Sequence, residues 1–282
     1  MESSPQHPVH LSVSVVLHNN SLELLKRSLH SLLAAVRAAE QEAGLGVVSI
    51  YLIDNASDAD YRLLLSELLA SWPVDESCQL HYLPQSDNRG FGYGHNRVIE
   101  SLGSDFHIVL NPDAELEVDT LCNGLSCINQ DDSIVLLSPR VLGPAGNQEF
   151  LCKRYPSALL LLLRGFAPGF IRRLFRRQLD EYEIRDLCSG EEQVEVDIAS
   201  GCFMLVRSSA LRAVGGFNED FFLYFEDFDL SLRLRRQGRL VFNPAMRVLH
   251  HGGYTATKGL RHVRYFISSG LRFFNLHGWR WI

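Results

Sequence analysis

Apolar and polar residues alternate along the first 110 positions in blocks that predict strands and helices in turn. The apolar, β-branched segment Leu11–Leu17 predicts a buried strand, and apolar residues at helical spacing from Leu22 to Ala39 predict the helix after it. The pattern then gives strands at Val47–Ile53, Leu80–Leu83 and His107–Leu110, and helices at Tyr61–Leu69 and Gly94–Ser101. Strands that alternate with helices predict an α/β fold with a mostly parallel, Rossmann-like central sheet flanked by helices.

The second half of the chain is less regular, and its charge changes sign abruptly. Leu159–Arg177 is aliphatic and then basic, with five arginines and no acid, whereas Asp180–Asp197 carries eight acids and one arginine. This reversal predicts a surface insertion at about residues 157–193. We therefore expect one continuous domain made of a first half, 1–115, a second half, 116–257, and a basic aromatic tail, 258–282.

Composition places the chain among ordinary globular proteins and narrows its partners. The 282 residues are 46% hydrophobic and 21% charged, which excludes a disordered or collagen-like chain. A formal net charge of −6 argues against wholesale binding of nucleic acid. The six scattered cysteines form no metal or disulfide pattern, and Met1–His10 lacks the apolar core of a signal peptide. Both features predict a cytoplasmic protein.

Polar side chains follow three of the predicted strands at the point where each strand ends. They are His18 and Asn19, Asp54 and Asn55, and Asn111 and Asp113. Such residues also serve in ordinary turns and helix caps, but ligands of open α/β sheets bind at these strand ends. Asp113 comes after a stiff proline and offers an oxygen ligand suited to Mg²⁺ or Mn²⁺. The three clusters together predict a nucleotide-type site.

An acidic and aromatic segment, Phe221–Leu230, is the next candidate for chemistry. It carries Glu226, Asp227 and Asp229 among aromatic residues, where desolvation raises the pKa of a carboxyl group and favours a general base. A plainer interpretation is a capping cluster at a helix start, in which Asp229 pairs with Arg233 one turn later. The aromatic surroundings make capping insufficient to explain all three acids.

Two more segments invite a functional interpretation beside a structural one. His250 and His251 precede a pair of glycines and suit metal ligation, although a lone histidine is more often structural. Asp87–Gly94 precedes a helix, so its backbone N–H groups could approach a phosphate. Its glycines do not follow the spacing of a dinucleotide-binding loop.

Taken in order, these segments resemble the inverting family 2 glycosyltransferases, most closely their rhamnosyltransferase-like branch. The matching pieces are VSVVLHNN, YLIDNAS, NRGFGYGHN, IVLNPDAEL, VDIASGCFMLVR, VGGFNEDFFLYFEDFDLSLRLRRQG and VLHHGGYT. The resemblance implies a GT-A fold in which 1–115 binds the nucleotide sugar and 116–257 binds the acceptor and carries the catalytic residues. The C-terminal helices are then expected on the acceptor side.

The resemblance also implies a role for individual residues. Those expected at the nucleotide sugar are Leu17, His18, Asn19, Asp54, Asn88, Gly90, Asn96, Asn111 and Asp113. Asp113 occupies the last position of the family's D-x-D motif and is expected to bind a divalent metal, Mg²⁺ or Mn²⁺, together with His250. Asn111 replaces the first acid of that motif, which leaves one fewer charged ligand. Asp227 matches the catalytic base, with Glu226 beside it, and Gly201 and Cys202 are expected to line the acceptor pocket.

These roles imply transfer of a sugar, L-rhamnose from dTDP-rhamnose by resemblance, to a hydroxyl of a lipid-linked or lipopolysaccharide glycan. Alternatives are a hexosyltransferase that uses a UDP-sugar, or a silent scaffold that binds glycan or lipid. A nucleotidyltransferase would need a glycine- and arginine-containing loop after the first strand, which is lacking. Arginines beside aromatic residues in Leu159–Arg177 and in the tail favour peripheral contact with the cytoplasmic face of the inner membrane. The alternative interpretation is that both segments pack on the domain, with the arginine stems lying along it.

Overall fold

A computed structural model describes residues 8–73, 77–252 and 259–282 of the chain. These residues form ten strands and eleven helices. The strands are β1 (Val9–Leu17), β2 (Leu45–Asp54), β3 (Cys78–Pro84), β4 (Phe106–Leu110), β5 (Ala114–Leu116), β6 (Ile134–Leu142), β7 (Gln148–Glu149), β8 (Val194–Glu195), β9 (Phe203–Arg207) and β10 (Arg239–His250). The helices are α1 (Leu22–Glu42), α2 (Ala59–Ala70), α3 (Phe91–Ile99), α4 (Thr120–Gln130), α5 (Ala158–Phe166), α6 (Gly169–Leu174), α7 (Arg176–Tyr182), α8 (Arg185–Cys188), α9 (Ser208–Ala213), α10 (Glu226–Leu234) and α11 (Leu260–His277).

One sheet connects both halves of the chain, in the order β3-β2-β1-β4-β9-β6-β10-β5. Strands β1 to β4 pair in parallel, as do β6 and β10, while β9 lies antiparallel between β4 and β6. Only β9 and β5 therefore run against the other six strands of this order. The predicted α/β class, with a mostly parallel sheet flanked by helices, is confirmed.

In the first helix, the apolar residues at helical spacing are the ones that face the core. Leu25, Leu29 and Leu32 are spaced three or four residues apart and are fully buried, and Ser21 caps the helix by accepting a hydrogen bond from the Leu24 N–H. Helix α3 differs from its prediction because it begins at Phe91, three residues before Gly94. The early start follows from Gly90, whose φ of +109° turns the chain into the helix.

The predicted insertion consists of the four short helices α5 to α8, and it packs against the C-terminal helix α11. Leu161 of α5 and Tyr182 of α7 share a buried cluster with Phe225, which precedes α10, and with Phe273 of α11. The backbone N–H groups of Ala158 and Leu159 donate hydrogen bonds to the carbonyl groups of Arg280 and Trp281. Insertion, acidic segment and tail therefore form one packed region.

Two further observations concern the predicted cellular context. All six cysteines are free thiols, in agreement with the lack of a disulfide pattern in the sequence. Among the residues that the structure describes, no helix combines the length and the apolar character needed to cross a membrane.

Candidate active site

A cleft of about 460 Å³ opens at the carboxyl end of β1. Leu17, His18, Asn88 and Gly90, all expected at the nucleotide sugar, line this cleft. The other lining residues are Val16, Asn20, Asn55, Phe91, Phe222, Leu223, Arg261, His262 and Tyr265. The cleft lies between the loop after β1, the loop before α3 and the start of α11. This is the carboxyl end of the strands, where the sequence predicts a ligand site.

One wall of the cleft depends on the close approach of two backbone segments. The Phe91 N–H donates to the Phe222 carbonyl at 3.1 Å, and the Asn55 side-chain amide donates to the Gly90 carbonyl at 2.8 Å. A Cβ on Gly90 would lie 2.2 Å from the Phe222 carbonyl oxygen, so no larger residue fits there. At Gly90, the loop before α3 therefore contacts the segment that leads to the acids of α10.

Three residues expected at the nucleotide sugar are engaged within the protein itself. Asp54 is fully buried and accepts hydrogen bonds from Arg62, at 2.7 Å, and from the Tyr82 hydroxyl, at 2.9 Å. Asn96 accepts from the Phe217 N–H and donates to the Phe217 carbonyl. The third residue, Asn19, exchanges hydrogen bonds with Asp58, and its backbone N–H donates to the Ser57 hydroxyl. These side chains brace the loops around the cleft.

Burial would raise the pKa of Asp54, but its hydrogen-bond donors prevail. Hydrogen bonds from Ser57 and Tyr82 and the positive charge of Arg62 lower the pKa below its ordinary value. The carboxylate therefore stays ionised. Its negative charge and hydrogen bond in turn add to burial in raising the pKa of Tyr82 to about 12.

A second group of side chains gathers where β4 meets the end of β10. The Asp113 Oδ1 atom lies 3.5 Å from His250 Nε2, and the Asn111 side-chain nitrogen lies 3.4 Å from the same ring atom. On the other side of the ring, Glu149 Oε2 lies 3.3 Å from His250 Nδ1. The remaining residues of the VLHHGGYT segment, 253–255, lie outside the described residues. The fold thus brings His250 next to Asn111 and Asp113, which precede it by more than 130 positions in the sequence.

The charges of this group reinforce one another. Burial alone would raise the pKa of Asp113, but hydrogen bonding to His250 and the charge of that ring lower it. Burial opposes a charge on His250, yet the neighbouring Cys202 and Asp113 outweigh it and raise the pKa of the ring to about 11. The pair is therefore an ion pair in a half-buried setting.

The same two side chains have the separation that metal ligation requires. Two ligand atoms that each lie about 2.1 Å from one ion are roughly 3 to 3.5 Å apart, and the Asp113 and His250 atoms are 3.5 Å apart. Within residues 8–73, 77–252 and 259–282, no group of three His, Cys, Asp or Glu side chains is arranged to hold a metal alone. A metal held here would therefore take two protein ligands, Asp113 and His250, and complete its coordination with ligand oxygens and water.

The acids of the aromatic segment stand at the first turn of α10. Asp227 is partly exposed and accepts hydrogen bonds from the N–H groups of Gly201, at 3.1 Å, and Phe228, at 3.0 Å. Burial raises its pKa, and those two N–H groups together with the charge of Arg164 reduce the effect. Glu226 is buried, and its Oε2 atom has no hydrogen-bond partner. Burial and the charge of Asp227 raise the pKa of Glu226 well above its ordinary value.

The backbone before these acids is strained. Tyr224 and Phe225 both have positive φ angles, 70° and 65°, which side-chain-bearing residues rarely adopt. Such strain costs of the order of 1–3 kcal/mol per residue and persists only when packing holds it. Phe225 is held in the buried cluster with Phe273. The two left-handed residues turn the chain sharply, so that Asp227 points back toward Gly201.

The third acid, Asp229, has a structural role. Its carboxylate accepts two hydrogen bonds from Arg233, at 2.8 and 2.7 Å, and one from His277 at 2.8 Å. The predicted pairing of Asp229 with Arg233 one turn later is confirmed. These bonds tie α10 to the end of α11.

Gly201 and Cys202 connect the two groups of the site. Gly201 donates to Asp227 and packs against the ring of Phe91, which lines the cleft. The Cys202 carbonyl accepts from the Asn111 N–H at 2.9 Å. One dipeptide therefore contacts the cleft wall, the acid of α10 and the group formed by Asn111, Asp113 and His250.

Several residues of this site were missed by reasoning from the sequence. Glu149 comes from a strand of two residues, too short to leave a periodic pattern. Arg261 and Tyr265 lie in a tail that the sequence marked only as basic and aromatic. Their position four residues apart on a helix was the available signal, because it puts both on one face; the Arg261 Nε–H donates to the Tyr265 hydroxyl at 2.8 Å.

Comparison with known sequences identifies a family and several relatives. Residues 12–215 match the sequence profile described as Glycosyl transferase family 2. The chain is 29% identical over 220 residues to an N-acetylglucosaminyl-diphospho-decaprenol L-rhamnosyltransferase of Mycobacterium tuberculosis, which covers 74% of this chain and 68% of that relative. It is 26% identical over 221 residues to the rhamnosyltransferase WbbL of Escherichia coli K12, with 70% of this chain and 75% of the relative covered.

Solved structures share the fold at low sequence identity. GalNAc-T7 with UDP, GalNAc and Mn²⁺ superposes with a TM-score of 0.63 at 15% identity, over 96% of this chain and 48% of that one. The mannosyltransferase PcManGT from Pyrobaculum calidifontis, with GDP-Man and Mn²⁺, gives a TM-score of 0.59 at 14% identity, over 93% and 64%. This chain spans about half the length of the GalNAc-T7 chain.

Proposed function

Because the chain belongs to glycosyl transferase family 2, and is therefore a sugar-transferring enzyme, we propose that it is an inverting rhamnosyltransferase. It moves L-rhamnose from dTDP-rhamnose to a hydroxyl group of a lipid-linked or lipopolysaccharide glycan. The donor assignment is supported by the two rhamnosyltransferases among its relatives. The observation that carries the reaction class is the Gly201–Cys202 dipeptide, which contacts both the Asp227 carboxylate and the strand end of Asp113.

In this proposal, residues 1–115 bind the donor and residues 116–257 bind the acceptor. His18, Asn88 and the Gly90 backbone line the cleft and contact the nucleoside and sugar, with Leu17 beneath them. Asp54, Asn96 and Asn19 act by holding the cleft loops in place, since their polar atoms bond within the protein. Arg261 of α11 also lines the cleft and supplies a positive charge.

A divalent ion, Mg²⁺ or Mn²⁺, would be held by Asp113 and His250, with Asn111 beside them. Mn²⁺ accompanies the nucleotide ligands of GalNAc-T7 and PcManGT, which share the fold. When bound, such an ion neutralises charge on a leaving diphosphate. His250 in turn is oriented by Glu149 on its opposite ring nitrogen, as second partners of ligating histidines usually do.

Asp227 is the proposed general base. Its carboxylate is held by two backbone N–H groups, and burial raises its pKa, which makes it a stronger proton acceptor than an exposed aspartate. It removes the proton from an acceptor hydroxyl near Gly201 and Cys202, and the hydroxyl oxygen attacks the anomeric carbon on the face opposite the diphosphate. The glycosidic bond to the acceptor forms as the bond to the diphosphate breaks, so the anomeric configuration inverts.

The Glu226 carboxyl has a different environment from that of Asp227. It is buried without a partner for Oε2, and burial and the charge of Asp227 raise its pKa well above the ordinary value. The Asp227 carboxylate, in contrast, accepts hydrogen bonds from two backbone N–H groups, which stabilise its ionised form and favour Asp227 as the base.

Contact with a membrane follows from the acceptor in this proposal. Phe170 and Leu174 of α6 are 75% and 79% exposed, and Trp281 and Ile282 of the tail are 66% and 87% exposed. Arginines surround them, and the tail is hydrogen-bonded to the start of α5. Exposed apolar side chains among cations suit an anionic membrane surface, here the cytoplasmic face of the inner membrane.

The deciding experiment compares Asp227→Asn with the neighbouring control Glu226→Gln. Purified enzyme is given dTDP-rhamnose, UDP-hexoses or GDP-mannose with Mn²⁺ and membrane-derived acceptor, and product formation and its anomeric configuration are measured. Loss of a general base lowers turnover by about 10² to 10⁴-fold. We expect this loss for Asp227→Asn, donor binding within about threefold of wild type, and turnover within about tenfold of wild type for Glu226→Gln.

Two outcomes would overturn this assignment. Turnover of Asp227→Asn equal to that of wild type would remove Asp227 as the base. Activity with a UDP-hexose and none with dTDP-rhamnose would replace the donor while leaving the transferase chemistry intact.

A further inference from the structure

The insertion contains a cavity of about 470 Å³ whose walls are mostly arginine. It lies between α5, α6, α7 and α8 and is separate from the donor cleft. The charged residues that line it are Arg164, Arg172, Arg173, Arg176, Arg185, Asp180 and Glu183. Five cations thus face two acids in one concave space, an arrangement typical of sites for multiply charged anions.

Part of this positive charge is left uncompensated by the protein. Glu183 lies within 3.3 Å of Lys153 and Arg164 and also contacts Arg185, which pairs with Asp180 as well, so these three cations share two carboxylates. Arg176 contacts only Asp180. The side chains of Arg172 and Arg173 make no hydrogen bond or ion pair with the described part of the chain. Their guanidinium groups therefore remain able to bind an external anion.

The neighbouring cations affect the pKa of Lys153, a buried lysine next to the cavity. Lys153 is 3% exposed and lies 3.2 Å from Glu183. Burial and the charge of Arg164 lower its pKa to about 8, despite the adjacent carboxylate. An anion in the cavity would relieve this repulsion.

The cavity adjoins the proposed catalytic base. Arg164 lines the cavity and is close enough to Asp227 to lower the pKa of that carboxyl group against the effect of burial. Tyr182, which ends α7, packs with Leu161 of α5 and with Phe225, two residues before Asp227, in one buried cluster. Its hydroxyl group is buried and has no hydrogen-bond partner.

We propose that this arginine cavity binds the diphosphate that joins the acceptor sugar to its lipid. The proposal rests on the function given above, in which Asp227 deprotonates a hydroxyl of that same sugar. With the sugar at Asp227, its diphosphate extends to Arg164 and is held by Arg172, Arg173 and Arg176, which line the cavity. The lipid then leaves toward Phe170 and Leu174, which are exposed on the same helix as Arg172 and Arg173.

This arrangement explains why the insertion is both basic and apolar. Arginine binds phosphate oxygens through paired N–H groups, which gives direction as well as charge. Arg172 and Arg173 are mutually adjacent on α6, and Leu174 follows them directly. The site therefore distinguishes an anchored acceptor from a free sugar by its charge and its chain together.

The test measures binding of farnesyl diphosphate to the full chain by isothermal titration calorimetry. Inorganic pyrophosphate and farnesol are titrated in parallel, and each titration is repeated with excess dTDP to fill the donor cleft. The variant is Arg172→Ala/Arg173→Ala, and the matched control is Arg177→Ala, an arginine of α7 that is 89% exposed and lies outside the cavity. All three positions are exposed, and urea unfolding checks that each variant folds as wild type does.

We expect farnesyl diphosphate to bind at least about tenfold more weakly to the double variant than to wild type, because two charge-assisted contacts are lost. Arg177→Ala and excess dTDP should each leave the affinity unchanged, and pyrophosphate should bind more weakly than farnesyl diphosphate. Equal affinity of wild type and double variant would overturn the proposal, as would displacement of farnesyl diphosphate by dTDP. Failure of the chain to bind any nucleotide sugar, measured separately, would instead refute the proposed function.

Discussion

Replacing Gly90 with alanine tests whether the donor cleft depends on the contact between two backbones. The residue has a φ of +109°, in a region that is almost restricted to glycine, and a strained position of this kind costs about 1–3 kcal/mol. The new Cβ would also meet the Phe222 carbonyl oxygen at 2.2 Å, so the two segments must separate. Their separation breaks the Phe91 to Phe222 hydrogen bond, worth about 0.5–1.5 kcal/mol.

The free energy of unfolding should therefore fall by about 1–4 kcal/mol. This range allows for the about 0.4–1 kcal/mol by which alanine stabilises a protein through its unfolded chain. In a chain of 282 residues the change corresponds to a Tm lower by about 2–7 °C. Binding of dTDP should weaken at least about tenfold, since Gly90 lines the cleft.

Urea unfolding and titration calorimetry on Gly90→Ala and Gly103→Ala decide the question. Gly103 is a matched control, because a Cβ there meets no heavy atom within 4 Å. We expect the control to change stability by less than about 1 kcal/mol and to bind dTDP as wild type does. If Gly90→Ala matches the control in both measurements, the close approach of the two segments has no energetic importance.

Three further predictions concern acid stability, metal binding and the membrane. Because the pKa of Asp54 is lower in the folded chain than the ordinary value of 3.8, its stabilising effect is complete above that value and is lost as the pH falls below it. Urea midpoints measured from pH 6 down to pH 3 should therefore fall less steeply for Asp54→Asn than for wild type; parallel curves would contradict this. Asn111→Asp adds a carboxylate beside Asp113 and His250 and should tighten Mn²⁺ binding in the presence of dTDP about tenfold, whereas unchanged affinity would remove Asn111 from the metal site. Wild-type protein should float with phosphatidylglycerol vesicles at low salt but not with phosphatidylcholine vesicles, and Phe170→Ser/Leu174→Ser should float less; equal flotation of wild type and variant would exclude α6 as the contact.

The parallel half of the fold could be predicted because its strands and helices follow one another along the chain and each has its own apolar pattern. The alternation of apolar strands with amphipathic helices located β1 to β4 and the helices between them, and the strand end at His18 indicated the edge at which the cleft opens. The pairing of Asp113 with His250 was expected from resemblance alone, because nothing local relates two residues so far apart.

The remaining features depend on how distant segments meet. The sequence does not reveal that Asp54 accepts hydrogen bonds from Arg62 and Tyr82. An aspartate at the end of an apolar strand gives the same sequence pattern whether its carboxylate faces a ligand or the protein. Glu149 reaches His250 only because β7 pairs with β6, next to β10. The arginines of the insertion converge through the turns between four short helices, which helical spacing cannot anticipate.

The placement of β9 has a consequence for attempts to divide the enzyme. This strand comes from the second half of the chain but pairs with β4 of the first half on one side and with β6 on the other. A fragment ending at residue 115 would leave the buried residues of β4 with a bare row of N–H and C=O groups, which invites pairing with another copy. Chimeras that exchange donor specificity between relatives should therefore graft loops onto an intact sheet and should not join halves cut at its middle.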